Sequence, residues 1–415
     1  MRSIRGIISI NNSTNMTATF KTFHSGIGDC IFFLIKKEEE QRVVMVDCGT
    51  FEVPIKKYVQ EKLAKKIDLL IVTHIDNDHI EGVKTMLNDP EIKVGRIIFN
   101  CYQRNAFGEK RRLNKYQMER LSNIEKEIGL IVGDIIENAE HDVDAPEAMK
   151  GLAATILGKP ALKRAWDKDY TVSGNEIDMA EWGKITFLSP TMNEIDNLDK
   201  DFRHVMFDEL NVDQTLGKWD KKEELYEILL RYAMLQAPVS DELREKDASG
   251  ADELEERLTK AAKEPVDTDK ISTANKASLA FVWEKGEHKM LFMGDANPDI
   301  VVKGLLEHYK GTAFPVLFDA IKVSHHGSHY NTTTELMRHA DSAHYFFTGG
   351  LEGKRPSEEA IGRMALNAMP EGLTTRTFHF NYETTLVKEL KENKALQEKY
   401  QFNVDTTKNE KEFAV

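Results

Sequence analysis

The chain is poor in the features that mark several protein classes. Among its 415 residues only Cys30, Cys48 and Cys101 are cysteine. Three thiols cannot build a disulfide framework in a chain of this length, so a reducing, cytoplasmic home is expected. No apolar run approaches a membrane span. The opening stretch MRSIRGIISINNSTNM lacks the sustained apolar core and small-residue cleavage site of a signal peptide. Positive charge is also short: the formal net charge is −13, which argues against a broad nucleic-acid-binding surface. A local basic groove remains open, and a bound divalent cation would itself draw phosphate. There is no Gly/Ser-rich or Pro-rich linker and no internal repeat.

What is present is an ordinary globular composition, 41% hydrophobic, organised around Thr73-His74-Ile75-Asp76-Asn77-Asp78-His79. This turn follows the apolar run 67–72, which reads as a buried strand, and precedes a helix starting near Ile80. A polar turn needs one capping residue. Two histidines and two aspartates offer instead the nitrogen and oxygen set that suits zinc, manganese or iron. Further strands end in Asp47, in Asp295 and in His325-His326. An acid at one strand end is usually a turn residue. Four such ends together fit a two-cation site, which needs ligands from several strand ends and a carboxylate that bridges. Residues 1–16 read as a leader, 17–402 as the main domain, and 103–180 and 193–270 as charged, mostly helical insertions within it. A strand is expected at 384–387, and a Lys/Glu-rich helix as the last element.

These motifs resemble those of the metallo-β-lactamase-fold hydrolases, and within them the ComEC-type branch, the hydrolase domain of the DNA-uptake competence protein and its stand-alone relatives. Ser25-Gly26-Ile27-Gly28-Asp29-Cys30 is similar to the branch's Gly-Gln-Gly-Asp turn, and Val46-Asp47-Cys48-Gly49 to its Asp-x-Gly strand end. His74 to His79 resembles its His-x-Asp-x-Asp-His signature. Asn275-Lys276-Ala277-Ser278 with Gly294-Asp295 resembles its Asn-x-x-Ser and Gly-Asp pair, and His325-His326-Gly327-Ser328 its His-His-Gly-Ser motif. The resemblance covers nearly all of 18–100, 184–190 and 275–380.

The resemblance implies an α/β fold, an αββα sandwich with inserted helical segments and two divalent metal ions, zinc or manganese, at one edge. His74 and Asp76 would bind the first, Asp78 and His79 the second, with Asp295 bridging and His325 completing the second site. Asp78 would also orient a metal-bound hydroxide, and His326 would give a proton to the leaving group or touch phosphate. Asp47 would orient the His-rich turn, with Asn275 and Ser278 nearby. The aspartate at 76, where the wider superfamily has histidine, makes the first site richer in oxygen. Arg355 stands where the branch often has His-Pro; it either grips a phosphate or is a helix-flanking surface residue. His329, Tyr330 and Asn331 line the pocket or merely follow the turn.

The main expectation is a phosphodiesterase or nuclease with a nucleic acid or nucleotide substrate. One alternative is a hydrolase of a small molecule such as a nucleotide messenger, lactone or thioester. Another is a metal-binding regulatory subunit of a multi-protein, possibly defence, system whose helical insertions dock a protein partner. No membrane association is expected.

Overall fold

The computed structural model describes residues 16–101, 151–210, 253–350, 355–406 and 410–415, apart from residue 27, with a few more within 110–124 and at 218, 219 and 227. The leader, except Met16, and much of both insertions lie outside the described residues.

Apolar alternation builds two sheets. In Ile31–Lys37, Phe32 and Leu34 point to one side while Ile31, Phe33 and Ile35 point to the other. In Lys66–Val72, Leu70 and Val72 oppose Leu69 and Ile71 in the same way. Both faces of such a strand are buried, which accounts for runs with no polar alternation. The first sheet orders its strands as Glu410–Ala414, Met16–Thr22, Ile31–Lys37, Glu40–Val46, Lys66–Val72 and Lys93–Phe99. The second runs Phe402–Asp405, Arg376–Phe380, His344–Phe347, Ala320–Lys322, His288–Phe292, Ala280–Lys285, Lys184–Ser189 and Glu176–Asp178.

The sheets face each other across an aromatic layer. Phe20 stacks on Phe346 with ring centres 4.3 Å apart, Phe281 on Phe292 at 4.7 Å, and Phe33 meets Trp283 edge-on at 4.8 Å. Helices Val53–Glu61 and Asn77–Asn88 cover the outside of the first sheet through Ile55, Val59, Ile80, Val83 and Met86. Helices Pro298–His308, Glu358–Ala365 and Thr385–Glu392 cover the second through Val301, Leu305, Ile361, Met364, Val387 and Leu390. The layers are therefore αββα. No helix among the described residues is long and apolar enough to cross a membrane.

Strands Glu40–Val46 and Lys66–Val72 are parallel, and so are His288–Phe292, Ala320–Lys322 and His344–Phe347. Their C-terminal ends fall along one edge, where a rigid scaffold can present loops. Leu279 N donates to Thr73 O at 2.9 Å and His325 N to Gly294 O at 3.0 Å, closing the seam between these loops.

Several elements differ from expectation. The stretch 384–387 is no strand. The Thr384 hydroxyl accepts from Val387 N and caps helix Thr385–Glu392, so capping outweighs the local β-branched preference. The chain does not end in one helix: Lys394–Tyr400 follows the break at Asn393, and two edge strands, Phe402–Asp405 and Glu410–Ala414, come after. The second of these alternates Glu, Lys and Glu outside a paired backbone, which masks it as a solvated tail. The sheets thus draw on residues beyond 402, and Met16 already belongs to a strand. Of the insertions, helices Leu152–Leu157, Pro160–Ala165, Met192–Leu210 and Leu254–Ala261 are among the described residues, and Glu176–Asp178 joins the second sheet as an edge strand.

The aromatic layer carries much of the stability. Phe33→Ala is expected to cost about 3–5 kcal/mol, read as a lowered urea midpoint with an unchanged slope.

Candidate metal centre

Asp76 occupies the N-cap position of helix Asn77–Asn88, yet no side chain caps that helix. The carboxylates of the His-rich turn are turned elsewhere. Asp76 Oδ2 lies 3.5 Å from His74 Nε2, and Asp78 Oδ2 lies 3.6 Å from His79 Nε2 and 3.4 Å from His326 Nε2.

Asp295 stands at the centre. Its Oδ2 is 3.4 Å from His79 Nε2, 3.6 Å from His325 Nε2, and 3.9 Å from both His74 Nε2 and His326 Nε2. These separations are too long for hydrogen bonds. They suit pairs of atoms sharing one cation, since ligands about 2.1 Å from a tetrahedral ion stand roughly 3.4 Å apart.

The opposite nitrogen of each ring fixes its tautomer. Asp47 Oδ2 accepts from the Thr73 hydroxyl at 2.7 Å and from His79 Nδ1 at 2.8 Å, while Oδ1 accepts from Thr73 N at 2.7 Å. The Thr73 hydroxyl, having spent its proton on Asp47, accepts from His74 Nδ1 at 2.9 Å. His326 Nδ1 donates to Thr348 O at 2.6 Å. His325 Nδ1 donates to Asn331 Oδ1 at 3.0 Å, while Asn331 Nδ2 donates to the Asp295 carbonyl. All four rings therefore hold a proton on Nδ1 and offer Nε2, the arrangement that orients histidine ligands at a metal. The Nε2 atoms of His74, His79 and His326 are buried without a hydrogen-bond partner. An orphaned, convergent N/O set of this kind fits a divalent cation.

Backbone geometry supports the same reading. Asp47, His325 and His326 have φ of 55°, 47° and 56°, a left-handed conformation that costs non-glycine residues roughly 1–3 kcal/mol each and clusters at functional sites. The loop before Asp29 packs directly on the His-rich turn: a Cβ on Gly28 would stand 1.5 Å from the Asp78 carbonyl oxygen.

Electrostatics follow from the crowding. Burial alone would raise Asp29, Asp78 and Asp295. For Asp78 the charges of His79 and His326 outweigh it, for Asp295 those of His79, His325 and His326, and for Asp29 those of Lys322, His326 and His79; all three carboxyls are held below the usual range. Burial would lower His79 and His326, but surrounding carboxylates, Asp295 first, raise His79 well above its ordinary value and His326 to about 9. Burial and the nearby Arg355 charge push His325 down to about 3.

Asp47, Asn275, Ser278 and Arg355 lie at this edge with the His and Asp candidates; His329 instead meets Arg363, and Tyr330 lies by Lys270. Ser278 Oγ accepts from Asp295 N at 3.0 Å and lies 3.4 Å from His74 Nδ1. Asn275 Nδ2 is 3.4 Å from His325 Nδ1. Arg355 is buried and donates to the His325 carbonyl at 2.8 Å, bracing the loop from behind. Three supports were not singled out from sequence. Thr348 holds His326 and also donates to Asp29. Asp29 itself sits under His326, and Lys322 is fully buried beside both Asp29 and Asp295. The signal for Lys322 was a lysine inside an otherwise apolar strand.

Residues 28–98 match the family model of the metallo-beta-lactamase superfamily. The matched stretch contains the His-rich turn and the strands from Ile31–Lys37 to Lys66–Val72. No curated protein matches the chain. Similar solved structures include the metallo-beta-lactamase fold protein YhfI from Bacillus subtilis, at 8% identity over 96% of this chain and 99% of that one, with a TM-score of 0.34. They also include a diphosphatase of the PhnP family, at 11% identity over 88% and 96%, TM-score 0.33. A third is a mutant of the CmlA β-hydroxylase, at 8% over 96% and 54%, TM-score 0.34. Likenesses this distant carry no weight for activity.

A cation should displace the extra protons held on the rings. His326, raised to about 9, stabilises the metal-stripped fold fully below about pH 6.5 and stops doing so as pH rises through 9. Metal-stripped protein is therefore expected to melt several degrees lower at pH 9.5 than at pH 6.5, with the difference shrinking when manganese or zinc is added. Calorimetric titration in two buffers of different ionisation enthalpy should register proton release on metal binding at pH 7.

Proposed function

We propose that the protein is a metal-dependent phosphodiesterase of the ComEC-type branch, acting on nucleic acid or a nucleotide with two divalent cations, zinc or manganese. The observation that carries this reading is the convergence of four Nδ1-anchored histidines on one oxygen of Asp295. His74, Asp76 and Asp295 would hold one cation. Asp78, His79 and His326 would hold the other, with Asp295 shared. Cations held there supply Lewis acidity toward a phosphoryl oxygen and lower the pKa of water.

This differs from the sequence expectation in its use of the two adjacent histidines. His326 is committed to Thr348 through Nδ1 and faces Asp78 through Nε2, which favours a ligand over a proton donor. His325, its side chain 15% exposed, stands toward the rim beside Asp295 and Asn275. Held neutral with its proton on Nδ1, it offers Nε2 as an acceptor at neutral pH.

Asp76 and Asp78 keep side-chain exposures of 20% and 23%, so the edge is open to substrate. That favours an enzyme over a regulatory protein with an occluded site. In this reading Asp78 would also orient the attacking water. A recess of about 400 Å³ is lined by His24, Gly350, Tyr382, Thr384, Thr385 and Lys388. The His24 and Tyr382 rings lie 4.1 Å apart and offer an aromatic face to a base, and Lys388 a charge to its phosphate. The carboxylate of Glu383, also at the recess, is paired with Lys391 at 2.6 Å.

Turnover of bis(p-nitrophenyl) phosphate, linear DNA, circular DNA and RNA, each with zinc and with manganese, tests the reading. At least one phosphodiester should be cut, and the Asp76→Ala/His79→Ala variant should be inactive. Asp78→Ala should lose at least about a hundredfold in kcat. Absence of cleavage of every substrate under both metals would sink the proposal. Lys388→Ala should raise KM for a nucleotide substrate roughly tenfold, with a smaller change in kcat.

A further inference from the structure

Lys322 has no exposed surface. A buried ammonium is costly unless its charge is matched. Its strand lies between His288–Phe292 and His344–Phe347, and its Nζ donates to the Gly294 carbonyl at 2.8 Å. The same atom pairs with Asp29 Oδ2 and lies 3.6 Å from Asp295 Oδ1. Asp295 is thus divided: Oδ1 faces the lysine, and Oδ2 faces the imidazoles. Asp29 in turn accepts from the Thr348 hydroxyl and lies 3.3 Å from His326 Nδ1. One side chain ties together the central carboxylate and the support of a ligand histidine.

The charges close around it. Asp29, Asp47, Asp76, Asp78 and Asp295 gather at this edge. Ionised, they carry five negative charges, and ring nitrogens bound to metal add none. Lys322 offsets one. Among these six groups four negative charges remain, the number that two divalent cations carry; Arg355, bonded to the His325 carbonyl, adds a further positive charge behind the loop.

We propose that Lys322 is the permanent counter-cation of the metal centre, a buried charge that, paired with Asp29, offsets the carboxylates gathered around Asp295. This rests on the metal-binding reading above, and its test separates the two. Manganese uptake is measured by calorimetric titration, and folding by melting of the metal-stripped protein. The wild-type chain should take up two equivalents. Asp29→Asn leaves Asp295 to balance Lys322 without its other partner, and manganese affinity should fall at least roughly tenfold. Asp29→Asn/Lys322→Met removes both charges together and should restore affinity to within about threefold of wild type.

A purely structural pair would not regain metal affinity when its second member is also removed. Wild-type affinity in Asp29→Asn, or a double variant that binds no more tightly than the single one, overturns the proposal while leaving the metal site intact. If Asp29→Asn does not fold, the double variant decides alone: near-wild-type uptake supports the proposal, and loss of uptake overturns it. A wild-type chain that binds neither manganese nor zinc refutes the metal reading, and this inference with it.

Discussion

Repulsion among carboxylates is the constraint on which this structure depends. Several acids brought out of water to one edge cannot all stay ionised without positive charge between them. The chain answers with imidazoles that face Asp295, with one internal lysine, and with a gap between ligand atoms of the size a cation fills. Asp47 shows the economy of this arrangement. One buried carboxylate satisfies Thr73 twice, orients His79 directly and, through the Thr73 hydroxyl, fixes the tautomer of His74.

The fold earns its place by putting strand ends side by side. Parallel pairing within each sheet means that consecutive loops emerge at the same edge. The loops are then held by backbone bonds more than by side chains: Cys48 N to His79 O, Gly49 N to Asp29 O, and Gly82 N to Gly49 O, each 2.9 Å. A site built this way is stiff before any ligand arrives, and stiffness at the level of tenths of an ångström is what ligand geometry requires.

Much of this was legible in the residues. Unbroken apolar runs announced strands buried on both faces, and acids or histidines at their ends announced a shared polar edge, where the structure does gather them. The relation between His325 and His326 was hidden, because adjacent residues on one loop are told apart only by the backbone. Here that backbone is left-handed at both positions with no glycine to advertise it. Lys322 was hidden because its partners lie nearly three hundred residues upstream and some thirty upstream, at Asp29 and Asp295. The Thr384 cap and the last two strands were hidden by local composition, β-branched in one case and charged in the other.

The two sheets contribute to the centre unequally. Asp47 and the His74–His79 turn come from the first, and Asp295, His325 and His326 from the second. The distance between donor atoms is therefore a gauge of how thick the aromatic layer is. Side chains such as Phe20 and Phe346, in the layer between the sheets, act as spacers that set the calibre of the jaw. If the proposed centre holds metal, substitutions that merely thin or swell the interior would retune its selectivity while leaving every proposed ligand in place.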